Sequence, residues 1–148
     1  IIIFFVVISM SNASAELVKP NNGIEPSLVV EIQLRSLKQN DSPKKDNGIE
    51  QTWEFAHPNN QKNTGPLEQF KTMIKGKSYK MLLNHLDHKI VEIKSSDLMA
   101  LFEVTVLDKD KAYYKFDWTV EKYTAEGPLQ DCWLTTMVSP PMPLGSSI

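Results

Sequence analysis

Between positions 98 and 121 the chain twice alternates apolar and polar residues, once on each side of a charged turn. Leu98, Ala100, Phe102, Val104 and Val106 fall on one face of an extended chain, and the acidic and basic run Asp108-Lys109-Asp110-Lys111 follows. Ala112, Tyr114, Phe116, Trp118 and Val120 then fall on one face, with Tyr113, Lys115, Asp117, Thr119 and Glu121 on the other. Side chains of a strand alternate in direction, whereas a helix repeats every 3.6 residues, so this pattern specifies a half-buried antiparallel hairpin. Val91 and Ile93, alternating with Glu92 and Lys94, extend the same period upstream towards His85. Downstream, Glu126-Gly127-Pro128 marks a second turn and residues 129–138 a last strand.

Upstream of His85 the period is helical. Pro26 suits a first helical position, where its missing N–H costs nothing. Val30, Leu34 and Leu37, widened by Val29 and Ile32, then form one stripe of a helix over 27–40. Asn47-Gly48-Ile49-Glu50 resembles a capping box opening a second helix, which carries Ile49, Trp53 and Ala56 and stops before Pro58. Residues 59–64 read as a polar loop. Gly65-Pro66 opens a third helix with Leu67, Phe70 and Ile74, closed by Gly76, and 77–83 holds at most one short turn. Helices preceding an antiparallel meander of about four strands define an α+β domain over 26–138, preceded by a linker at 16–25. Residues 139–148, with three prolines and Gly-Ser-Ser, read as a flexible tail.

With 148 residues, 41% hydrophobic and 23% charged, the chain can bury one core. A net charge of -2 with scattered lysines gives no footprint for nucleic acid. One cysteine, Cys132, forms no internal disulfide and, on a strand, reads as inert packing. The histidines His57, His85 and His88 do not form a zinc pattern; in an extended stretch, His85 and His88 point to opposite faces. No metal or other cofactor is therefore expected. Residues 1–8 are apolar, and Ala13-Ser14-Ala15 matches a cleavage site, so 1–15 reads as a signal peptide truncated at its start. A buried strand and a fragment of membrane anchor are the alternatives, and the run is too short to span a bilayer alone. A leader cut after Ala15 implies a secreted, periplasmic or plastid-lumen protein, with no stable membrane span in the mature chain. Asn40-Asp41-Ser42 is a glycosylation acceptor pattern for a eukaryotic secretory route.

Several landmarks occur in order: Gln33-Leu34 with Leu37, Phe55-Ala56-His57-Pro58, Thr64-Gly65-Pro66-Leu67, and Asp131-Cys132-Trp133-Leu134-Thr135. Over residues 28–138 they resemble the domain of unknown function 4864 family. His57 stands where the family pattern has serine, and Asp131 where it has glycine. The resemblance implies a nuclear transport factor 2-like cone, a bent sheet wrapped around helices and enclosing a cavity. It implies no activity, because that superfamily includes isomerases, hydratases, cyclases, scaffolds and transport adaptors.

In such a cone Trp53, Phe55, Tyr79, Phe102, Tyr114, Trp118 and Trp133 are the candidates for a ligand pocket, and plain core packing is the competing role for each. An acid–base enzyme needs a buried histidine or carboxylate; Asp117 lies on the strand face opposite Trp118 and so points outward, which leaves His57 and Asp131 as the candidates. Neither has a partner at a telling spacing. His57 before Pro58 is better accounted for by an interaction with the C-terminus of the second helix than by catalysis. The sequence thus favours a non-catalytic module for a small apolar ligand or a protein partner. One alternative is a cofactor-independent isomerase, dehydratase or cyclase using His57 or Asp131 as base. The other is a scaffold that homodimerises through a sheet face carrying Met99, Leu101 and Leu107.

Overall fold

Four α-helices and a five-stranded antiparallel sheet make up an α+β domain, in a computed structural model that describes residues 16–146. The leader expected at 1–15 lies outside the described residues. No helix among those described is long and apolar enough to cross a membrane.

Helix α1 (Pro26–Lys38) begins at the expected proline and buries Val29, Val30, Gln33, Leu34 and Leu37. Helix α2 (Asn47–Glu54) begins where expected, but its cap differs. Asp46, in a left-handed conformation, precedes the helix. The first turn is satisfied from outside: Asn40 Oδ1 accepts from the Ile49 N–H at 3.0 Å, and the Asn40 carbonyl accepts from Gly48 at 2.8 Å. Glu50 pairs instead with Lys44 at 3.1 Å. Asn40 is therefore an interior bracket, 3% exposed, which removes it as a glycan acceptor in the folded chain.

Gly48 is needed where α2 meets α1. A Cβ there would collide with the Ser36 carbonyl oxygen and lie 2.8 Å from Asn40 Cα, both backbone atoms that no rotamer change can move. Gly48→Ala is expected to lower stability by about 1–3 kcal/mol despite alanine's better helix propensity. Urea unfolding checks this; a gain in stability would mean that the helices separate freely.

The segment expected to be a polar loop is instead helix α3 (Pro58–Thr64), which buries no residue and so carries no apolar stripe. Helix α4 (Leu67–Ile74) follows, and a 3-10 turn at Lys80–Leu82 fills the ambiguous stretch. There are thus four helices rather than three.

The strands are β1 (Asp87–Ser95), β2 (Met99–Leu107), β3 (Ala112–Lys122), β4 (Trp133–Val138) and β5 (Met142–Ser146). The order is β1-β2-β3-β4, with β5 paired to the other half of β3. The β2–β3 register sets Ala100 opposite Val120, Phe102 opposite Trp118 and Val104 opposite Phe116, all buried. Parity thus works across β2 and β3 as the sequence specifies, but Leu98 lies before β2 and is 57% exposed, and in β1 the expected apolar positions Val91 and Ile93 are exposed while His88 and Ile90 are half-buried. Residues 129–131 belong to the turn before β4. The expected tail forms β5, bonded to Ala112–Lys115, and Gly145 at φ 104 sits where the register shifts. Residues 16–25 are pinned rather than loose. Gln51 Oε1 accepts from Val18 N–H at 2.7 Å while Gln51 Nε2 donates to the Val18 carbonyl at 2.8 Å.

Candidate functional site

Where α3 and α4 face the end of β4, the helices and sheet leave a cavity of about 310 Å³. Phe70, Met73 and Ile74, at helical spacing, supply the α4 wall, and Asn60, Asn63 and Thr64 supply the α3 wall. Thr135, Thr136, Met137 and Val138 all line it. One face of a strand offers only alternate residues, so four in succession mean that the cavity runs along the outer edge of β4. That edge is closed at Thr135, whose N–H donates to the Phe55 carbonyl and whose carbonyl accepts from His57 N–H, both at 2.8 Å.

The inner end has a polar floor. Trp118 Nε1 donates to Gln33 Oε1 at 3.0 Å and lies 3.3 Å from Thr135 Oγ1. Thr135 Oγ1 donates to the same Gln33 oxygen at 2.6 Å, and Gln33 Nε2 donates to the Thr52 carbonyl at 3.1 Å. Gln33, Trp118 and Thr135 are each at most 2% exposed. The set satisfies its members with neutral groups and contains no side chain that titrates near neutral pH, so it orients side chains and has no proton to exchange there. Higher up, Tyr79 Oη donates to the Val138 carbonyl at 2.9 Å, and burial pushes its phenol pKa above the ordinary value. Tyr79 is the one ionisable side chain among the described lining residues, which include no aspartate, glutamate, histidine, lysine, arginine or cysteine.

Of the seven aromatic candidates the cavity takes two, Tyr79 and Trp118. Phe55 and Phe102 are fully buried core. Trp53 packs on Phe70 with ring centroids 5.0 Å apart, and Trp133 lies under Lys122 Nζ at 5.4 Å. Tyr114 borders a separate depression of about 430 Å³ whose other walls are mostly charged residues, the exposed Lys80, Lys109 and Asp110 and the buried Asp108.

The two acid–base candidates lie outside the cavity. His57 does not end α2; it caps α3, with Nδ1 accepting from Asn59 N–H at 3.0 Å. Burial lowers its pKa, partly offset by Glu121, and its ring packs against Tyr123. Asp131 is exposed in the turn before β4, in a left-handed conformation at φ 63. Cys132 is buried and its thiol pKa is raised, first by burial and then by Asp131, as suits inert packing.

His85 and His88 do meet, contrary to the extended geometry expected. Asn84, at φ 57, turns the chain, and β1 begins only at Asp87. The two rings then join, His85 Nε2 to His88 Nδ1 at 2.8 Å, and His88 Nε2 lies 3.1 Å from Glu31 Oε2. The facing nitrogens leave no room for an ion between them, and no metal-binding cluster occurs among the described residues.

Met99, Leu101 and Leu107 are half-buried on the outer sheet face. The register also sets Glu103 directly opposite Asp117 there, placing two carboxylates in the middle of that face.

The polar site residues missed from sequence include Gln33, Asn60, Asn63 and Thr135. Gln33 carried a signal, as a polar side chain three residues beyond Val30 on an apolar stripe. Comparison with protein-family models, with curated proteins and with solved structures finds no match.

Proposed function

We propose that this chain is a small-ligand-binding module of the nuclear transport factor 2-like type, which holds its ligand without transforming it. The fold assignment is supported by helices that precede an antiparallel sheet and by a cavity between them. The observation that carries the function is the lining: a cavity near the lower end of ligand-pocket volumes, with apolar walls and a neutral polar floor, whose one titratable group is a phenol. His57 and Asp131, on which an isomerase or dehydratase would depend, border other surfaces.

Native mass spectrometry of the full chain tests this, with Met73→Trp as the companion that fills the cavity. The wild-type chain is expected to retain a small molecule, or to bind added naphthalene, which is small enough for the cavity, and the variant to do neither. A wild-type chain that stays empty and ignores naphthalene overturns the proposal.

A further inference from the structure

We infer that the cavity selects an uncharged ligand with an apolar body and an amide or hydroxyl head, the head held by Asn60 and Asn63 of α3; this rests on the ligand-binding reading above. The first ground is the absence of a counter-charge. A carboxylate or ammonium head at the Asn60–Asn63 mouth would give up part of its hydration and meet no ionised side chain of the lining.

The second ground is how the polar groups are used. At the inner end Gln33, Thr135 and Trp118 bond to one another. Tyr79 and Thr64 donate to main-chain carbonyls, at 2.9 and 3.0 Å. What remains lies at the mouth. Asn60 makes only one long bond, 3.4 Å to the Thr135 carbonyl, and the Asn63 carboxamide is exposed at the rim. Three positions apart on a helix, they share a face, and both line the cavity. Each carboxamide has donors and an acceptor, so the pair complements a head that also donates and accepts. An amide or hydroxyl does both, whereas a carboxylate only accepts.

At roughly 30 Å³ per non-hydrogen atom, by analogy with liquid water, the cavity holds about ten such atoms. Octanamide is of that size. Calorimetric titration of the full chain with octanamide, octan-1-ol and octanoate at neutral pH tests the inference. Octanamide is expected to bind at least about ten-fold more tightly than octanoate, with octan-1-ol between them. Asn63→Leu is expected to weaken octanamide about ten-fold without shifting the unfolding midpoint, because Asn63 is exposed. Octanoate binding as tightly as octanamide, or an Asn63→Leu chain that binds octanamide unchanged, overturns the ligand class and leaves the cavity a binding site. Naphthalene binding with none of the three overturns the head-group assignment alone. No binding of any probe overturns the parent reading as well.

Discussion

Trp118→Ala lowers the unfolding free energy by about 4 kcal/mol, the largest loss expected from a single side chain here. The indole is 1% exposed, faces Phe102 across the β2–β3 ladder and donates to Gln33. Its removal takes away a large apolar surface, opens a void beside the existing cavity and withdraws a donor from a buried network. Trp118→Phe separates these effects. It keeps most of the ring volume and removes the N–H, while Gln33 Oε1 still accepts from Thr135 at 2.6 Å. About 1–2 kcal/mol is therefore expected for it. Denaturant midpoints at unchanged slope measure both. Equal losses for the two variants would mean that the hydrogen bond, not the packing, fixes this corner of the core.

Acid should weaken the fold through His85. The ring is 2% exposed, and burial, the leading cause, lowers its pKa to about 4. The Leu82 carbonyl opposes that shift, His88 and Lys38 add to it, and Asp87 opposes it. Because the Leu82 carbonyl can only accept, His85 Nδ1 must carry the proton of that 2.7 Å bond. In the neutral ring Nε2 then accepts, so His88 Nδ1 donates to it. A second proton, on His85 Nε2, could keep that bond only by reversing it, with His88 Nδ1 giving up its proton. Between the ordinary value near 6.5 and about 4, the unfolded chain binds a proton that the folded chain refuses. Stability is therefore full above neutral pH and falls as pH drops through this window, by about 2.5 kcal/mol between pH 7.5 and 4.5. His57, also lowered by burial, acts in the same direction. Asp46 acts later: its 2.7 Å bond from Lys75 holds the carboxyl below its ordinary value of 3.8, and that contribution disappears only as pH falls through the folded value. Urea titrations at pH 7.5, 5.5, 4.5 and about 3, with His85→Gln as control, separate the windows. A His85→Gln chain with the same pH slope as wild type would assign the loss to other groups.

The two long strands were legible because a core on one side leaves a mark at every second residue, and β2 and β3 carry it almost without interruption. Helix α1 was legible for the matching reason at helical period. Helix α3 was not: Asn59 to Thr64 buries nothing, so no stripe exists to be read, and its start depends on His57 and Pro58 acting as cap and first residue. Strand β5 is exposed along its length and contains Pro143 and Gly145; its pairing is set by β3 rather than by its own composition. Trp118 could be placed by parity. Gln33 and Thr135 meet only through a separation of 102 positions, a contact that local periodicity cannot encode. The meeting of His85 and His88 turned on one left-handed residue, Asn84.

Strand β5 also sets an order of assembly. Its partner, the Ala112–Lys115 half of β3, precedes it in the chain, with β4 between them. A chain made from its N-terminus therefore presents that half of β3, with β2 on one side and an open margin on the other, before Met142–Ser146 exists to cover it. This part of the sheet is closed late, by a later segment folding back onto an earlier one.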